Sequence, residues 1–465
     1  MFFLCWAYTL FPENFKLATI FTFLIIFLLN FINKNIFLTT FIVYIVNLLF
    51  LEPGKYFSFL MIEGKGLAFE PLRDVGLIDA YGFTVSDLLA LFLSLFIFRK
   101  TAHFLLFNKK IHIYWYDKVV VISFLIYFLI SFYSSRFFSF DFFFSFIHLI
   151  QYSKMLLSYV FISYLIRGNK KGRKIISYII LGLVLFNFTL SFGQFILGIF
   201  SIGSSNQEVF SYHLPEEDSL FIRPFGAFLH SNQLGFMITT WIASLLILDN
   251  LKKNFKNAIL ILSGILLILT QSRTVWILLF SIVIYYFIVF FKKKLLKLSS
   301  LKISKRHAYL FFVILFLAII VGQRLISSRF SFDGGSAGIR LRMYKDGLAA
   351  LSESYLFGFG PATNVKTIYE LIPKSYVTDF PYAVHNGYLQ MSLESGIIAT
   401  FFFFFPFLLF FLINLGNKKN WLSSYLIISI LVYYVFQPYA GRIEFPFLGM
   451  FLAFICTSKK NDQKN

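Results

Sequence analysis

The chain has 465 residues, of which 58% are hydrophobic and 67 are phenylalanine, and its mean hydropathy is +0.76. That composition excludes a soluble globular protein and leaves no room for a sizeable separate soluble domain, so an all-α polytopic membrane protein is expected. The formal net charge of +20 lies in short basic clusters between apolar runs, which is the distribution of membrane topology rather than of a nucleic-acid surface.

The opening MFFLCWAYTLF has neither a basic n-region nor a small-residue cleavage site, so the first segment is expected to stay in the mature chain. Cys5 and Cys456 lie in apolar sequence near opposite ends and offer neither a disulfide framework nor a thiolate metal cluster. Apolar runs then predict spans at roughly 17–32, 36–52, 84–98, 119–134, 143–166, 174–200, 234–249, 257–271, 274–291, 308–322, 388–414, 421–437 and 442–457. The total is about 12 to 13 transmembrane helices, the N-terminal end being compatible with either number.

Loops rich in Lys and Arg mark the cytoplasmic side: RKTAHFLLFNKK from Arg99, RGNKKGRK from Arg167, LKKNFK from Leu251, KKKLLKLSSLKISKR from Lys292 and the tail from Lys459. The 292–306 loop carries seven basic residues and no acid, whereas 323–386 balances seven basic residues with five acids, so the latter is external. Parity then places the C-terminus inside, and 201–233 and the QSRT turn outside. The expected organisation is a transmembrane bundle over 1–200, an external loop with central helices over 201–322, a large external loop with an amphipathic helix over 323–386, and C-terminal helices with a cytoplasmic tail over 387–465. Two external loops, 201–233 and 323–386, are long enough to do chemistry.

External arginines run against the positive-inside trend, so Arg223, Arg273, Arg340 and Arg342 need reasons. Any one of them can snorkel to headgroups or pair with a loop carboxylate. Together they fit an anionic ligand at the outer surface, and guanidinium forks bind a lipid diphosphate bidentately at any working pH. Arg223 opens RPFGAFLHSNQLG, where Pro224 and Gly226 shape a turn and Ser231 or Asn232 is expected to cap the next helix, whose N-terminus attracts anions. In GIRLRMYKDGLAALSESYLFGFGPATN, Leu341, Tyr344, Leu348 and Leu351 recur at helical spacing and predict an amphipathic helix on the outer surface. Arg340 and Arg342 diverge there by about 200°, so only one can face a given ligand, and Arg340 is favoured.

In HNGYLQMSLESG, His385 to Gly396, the residues Asn386, Gln390 and Glu394 fall on one helix face, a polar stripe that His385 caps. A histidine's unperturbed pKa lies near neutrality, so His385 is a candidate to take a proton from a sugar hydroxyl, while its bland role is a surface cap. Glu394 is expected to face the bundle interior, either tethering helices or serving the site. Lys154 can contact substrate, although snorkelling or pairing with Asp87 is the ordinary account. There is no Walker loop, HExxH, GxSxG or DxD pair, which argues against ATP hydrolysis and cytoplasmic sugar-nucleotide chemistry.

Four motifs, RPFGAFLHSNQLG, LTQSRTVW, GIRLRMYKDGLAAL followed by FGFGP, and HNGYLQMSLESG, resemble the bacterial O-antigen ligase and O-antigen polymerase membrane proteins over about 223–398. The resemblance implies a type C glycosyltransferase fold and a metal-independent enzyme of lipopolysaccharide or other polysaccharide biosynthesis, with no cofactor. Its donor would be an undecaprenyl-diphosphate-linked glycan at the external (periplasmic) face of the inner membrane. Its acceptor would be a lipid A core sugar for a ligase or a second lipid-linked glycan for a polymerase. Carried over by motif, Arg223, Arg273 and Arg340 bind the diphosphate and His385 serves the acceptor hydroxyl, with Asn232, Arg342, Asn386, Gln390 and Glu394 in support. A flippase of lipid-linked sugars is the alternative of another class, but internal repeats and midplane charges, the usual marks of a transporter, are not seen.

Overall fold

The structure is a computed structural model that describes residues 15–33, 36–49, 89–95, 114–167, 170–197, 224, 226, 228, 231–248, 251–270, 272, 274–280, 336–378, 383–414, 420–438 and 441–458. Among these residues every regular element is helical. In chain order they are α1 (Phe15–Asn33), α2 (Ile36–Leu49), α3 (Trp115–Phe137), α4 (Phe142–Tyr152), α5 (Lys154–Ile166), α6 (Lys170–Leu197), α7 (Ser231–Leu248), α8 (Lys253–Leu269), α9 (Ser336–Glu353), α10 (Asn364–Leu371), α11 (Gly387–Asn414), α12 (Trp421–Phe436) and α13 (Gly441–Ser458). Residues 89–95 and 274–280 are also helical. Five stretches are long and apolar enough to cross a membrane: α3, the α4–α5 pair, α6, α7 and α11; α8, α12 and α13 contain shorter apolar helices. The expected span at 308–322, and the expected total, lie outside what the described residues cover.

Two pairings organise the bundle. α13 runs along α5 and α11 runs along α3, with α12 between α11 and α7. Phe403 joins them at the centre, edge-on to Phe124 and Tyr127 of α3 and beside Phe445 of α13. Close aromatic packing of this kind supplies the van der Waals contact that drives helix association where lipid competes for apolar surface.

At one end, Asp117 in the first turn of α3 accepts from both terminal nitrogens of Arg167 and from the Tyr159 hydroxyl. The Arg167 guanidinium also covers the rings of Tyr114 and Tyr116, and Cys456 lies 3.7 Å from the same tyrosine hydroxyl. The start of α3, α5 with the Arg167 that follows it, and α13 are therefore fastened together at the end of the bundle that carries the basic Arg167 loop. The other end of α3, about 34 Å away at 1.5 Å per residue, meets the large loop: Phe138 stacks on Phe357 and Phe140 on Phe359.

That loop has a core of its own. Met343, Ala350 and Leu351 of α9 pack with Val365, Ile368, Tyr376, Val377, Val384 and Leu393. Of the amphipathic face expected from Leu341, Tyr344, Leu348 and Leu351, Tyr344 and Leu351 pack on the loop core, whereas Leu341 and Leu348 are 65% and 59% exposed. The stripe that meets the core also takes in Met343, Gly347 and Ala350, since the small residues Gly347 and Ala350 let α9 approach it.

The loop is sealed onto α11 where that helix breaks. Gly396 adopts φ 81 and ψ 165, which removes the local helical hydrogen bonds. The freed carbonyls of Leu393 and Glu394 accept from Phe359 and Gly360, and Ile397 donates to the Tyr355 carbonyl. A Cβ on Gly396 would stand 2.0 Å from the Leu356 oxygen, so this exchange requires glycine. Irregular backbone within a span is tolerated where other protein groups satisfy it.

Candidate functional site

Four segments converge at the loop end of the bundle. The first is the turn after Arg223. Gln194 of α6 holds its Gly226 from both sides, donating to the carbonyl at 3.0 Å and accepting from the amide at 2.8 Å. The second is the start of α7, where Asn232 accepts a 2.5 Å hydrogen bond from Ser272 of the QSRT turn. One turn further, a Cβ on Gly235 would be 2.0 Å from Val275, so this glycine sets the close approach of α7 to the helix after QSRT. Of the two residues expected to cap α7, Ser231 and Asn232, the helix already includes both, and the Asn232 side chain is spent on the neighbouring turn.

From Thr274 the path continues to Gln437, whose amide donates to the threonine hydroxyl at 2.9 Å. Gln437 follows α12, and a Cβ on Gly387 would be 3.2 Å from its carbonyl oxygen and 2.6 Å from Tyr434. The residues just before Gly387 are His385 and Asn386. Tyr344 of α9 closes the ring by donating to the His385 carbonyl at 2.9 Å. The four motifs therefore meet, and the two loops that carry them share one end of the bundle.

Within this frame Arg223, Arg273 and His230 lie outside the described residues, although Pro224, Gly226, Ser272 and Thr274 fix where the chain runs beside them. Arg340 is half-buried on the inward side of α9, close enough to Tyr344 for its charge to act on that hydroxyl. Among the described residues no carboxylate pairs with it. Arg342 points the other way, donating to the Lys374 carbonyl at 3.1 Å with Asp346 4.0 Å away. Burial raises the Tyr344 hydroxyl above its ordinary range despite the opposing pull of Arg340, so it remains a proton donor at working pH.

His385 Nδ1 is 3.1 Å from the Ala383 carbonyl. A carbonyl can only accept, so Nδ1 carries the proton and Nε2 is the basic nitrogen. The cap of α11 is Asn386, whose side chain accepts from the Leu389 amide at 3.0 Å, which corrects the capping role expected of His385. Below it, the polar stripe descends as expected: Gln390 donates to Glu394 Oε1 at 3.2 Å. Glu394 is fully buried and also accepts from Asn364 Nδ2 at 2.5 Å and from the Ala362 amide at 2.7 Å. It faces the interior as expected, and the contacts described for it tether the large loop to α11.

Sequence reasoning passed over Gln194, Gln437 and Glu444. Glu444 of α13 is buried and accepts from Gln233 Nε2 at 3.1 Å, Tyr433 at 3.1 Å and Tyr434 at 2.8 Å, which ties α13 to the first turns of α7. A signal existed for all three, since each is an amide or carboxylate side chain flanked by apolar residues at the end of an apolar run: SFGQF, VFQPY and GRIEFPF.

Residues 258–404 match the family model described as O-Antigen ligase. The matched stretch is just under a third of the chain and contains most of α8, the QSRT turn, the large loop, His385 and most of α11. It bears out the family resemblance read from the motifs and supports a membrane enzyme of O-antigen ligase or polymerase type. No curated protein matches the chain.

Proposed function

We propose that the chain is a membrane glycosyltransferase that moves a glycan from an undecaprenyl-diphosphate-linked donor to an acceptor hydroxyl at the external face of the cytoplasmic membrane, as an O-antigen ligase does with a lipid A core sugar. The observation that carries this reading is the convergence of the four motifs: Asn232 on Ser272, Thr274 on Gln437, Gly387 beside Gln437, and Tyr344 on His385. These contacts link the segments that carry Ser272 and Thr274, Arg340 and His385, which supports a shared site for the arginines and the histidine.

The chemistry follows from those groups. Arg223, Arg273 and Arg340 would hold the diphosphate and stabilise the charge that develops as the anomeric carbon–oxygen bond to phosphorus breaks. Nε2 of His385 would accept the proton of the attacking hydroxyl as the new glycosidic bond forms. The proton then passes to solvent or to the departing diphosphate, and His385 returns to its neutral form. With a good leaving group stabilised by arginine, the reading assigns no step to a metal.

The test is surface glycan in a host lacking its own ligase and polymerase, comparing the wild type with Arg223→Ala, Arg340→Ala and His385→Ala at matched membrane expression. Restoration by the wild type and loss in all three variants supports the reading. A single added band identifies a ligase, and a long ladder identifies a polymerase joining lipid-linked units. Variants as active as wild type would overturn the assignment and favour a lipid-linked sugar transporter.

A further inference from the structure

We infer that Tyr344 is a positioning residue that holds the acceptor-side histidine in register with the donor-side arginine, an inference that rests on the proposed glycosyl transfer and adds to it a residue that its motif marks only as part of a helix face. Three observations bear on it. The Tyr344 hydroxyl donates to the backbone carbonyl of His385 at 2.9 Å, across 41 positions of chain. The same hydroxyl lies within the field of Arg340, one helical turn earlier on the same face of α9. Its ring packs against the small core of the large loop, so the hydroxyl is delivered from a fixed base.

The segment it grips also packs on α9, since Val384 is fully buried in the loop core with Met343, Ala350 and Leu351. Within the turn, the His385 ring donates to the Ala383 carbonyl, the Asn386 amide donates to the Val384 carbonyl at 2.7 Å, and the Asn386 side chain caps α11. Apolar packing is non-directional, whereas the Tyr344 bond is directional and aligns the His385 carbonyl with α9. Arg340 keeps the same alignment because both residues ride on one rigid helix. Displacing a reacting group by about 1 Å costs on the order of a hundredfold in rate. Tyr344 touches neither donor nor acceptor in this arrangement, so its contribution is to geometry.

The experiment uses the full-length protein in proteoliposomes and follows glycan transfer from an undecaprenyl-diphosphate-linked oligosaccharide to the acceptor identified by the surface-glycan assay. Tyr344→Phe keeps the ring and removes the donor. The expected result is a kcat lower by about tenfold, a donor KM within twofold of wild type, and an unchanged melting temperature. p-Aminophenylalanine at 344 restores a donor of the same reach and should recover most of the rate, whereas p-methylphenylalanine, of similar bulk without a donor, should not. This pair decides the matter if the Phe variant accumulates poorly. Tyr344→Phe added to His385→Ala should lower the residual rate no further, because its effect runs through the histidine. A normal kcat in Tyr344→Phe, or equal activity of the two synthetic variants, overturns the inference. Undiminished transfer by His385→Ala instead sinks the proposed function, whatever Tyr344 does.

Discussion

Removing the Glu394 carboxylate should release the large loop from α11 without unfolding the bundle. Three donors converge on it: the Ala362 amide, Asn364 Nδ2 and Gln390 Nε2. In Glu394→Leu each is left without its acceptor in a buried site, at about 1–3 kcal/mol per group, or roughly 3 kcal/mol at the low end of the sum. With a tenfold change for each 1.4 kcal/mol, local opening becomes about a hundredfold more frequent. Hydrogen–deuterium exchange in nanodiscs reads this directly, because the Phe359, Gly360 and Ala362 amides donate to the Leu393 carbonyl, the Glu394 carbonyl and the Glu394 side chain. Their exchange should accelerate about a hundredfold in Glu394→Leu and about tenfold in Glu394→Gln, which keeps the shape and one acceptor. Peptides from the middle of α3 should be unaffected. Exchange of the 357–363 peptide within threefold of wild type in the Leu variant would refute the tether.

Four further outcomes follow from the same contacts. Gly396→Ala should fail to accumulate in membranes, since its Cβ would meet the Leu356 oxygen at 2.0 Å and its φ of 81 is strained for alanine; expression by immunoblot checks it. Arg342→Ala should leave transfer within about threefold of wild type while Arg340→Ala loses about a hundredfold, because the exposed Arg342 is directed to the Lys374 carbonyl and Asp346 rather than to the side of Arg340; the glycan assay separates them. Asp117→Asn and Arg167→Met should each lower thermal stability in detergent more than the double variant does, since either alone strands a partly buried charge; a double variant that melts lowest would contradict this. Gly235→Ala should reduce activity through the clash with Val275, and adding Val275→Ala should restore most of it, as a residual-activity comparison would show.

How far the fold was legible depended on which force wrote it. Long apolar runs are dictated by bilayer thickness, so the C-terminal spans expected at 388–414, 421–437 and 442–457 appear as Gly387–Asn414, Trp421–Phe436 and Gly441–Ser458. The inward face of α9 was not legible in the same way. It is chosen by Gly347 and Ala350, whose smallness matters only against a particular neighbour, while of the expected apolar residues Tyr344 and Leu351 pack on the loop core and Leu341 and Leu348 do not.

The site divides along the same line. Residue types that chemistry demands, arginines for an anion and a histidine for a proton, stand out in apolar sequence wherever they fall. The groups that set distances between them are Gln194 on Gly226, Ser272 on Asn232, Gln437 on Thr274 and Tyr344 on His385. All four contacts are donated by a hydroxyl or a side-chain amide, and each joins segments at least 32 positions apart. Such residues look ordinary in sequence because their task is defined only by the partner. A membrane enzyme has few polar groups to spare, so a buried amide or hydroxyl joining two loops is evidence about assembly even where its own chemistry is inert. The arginines and the histidine name the reaction; the amides and hydroxyls between their segments decide whether those groups act on the same bond.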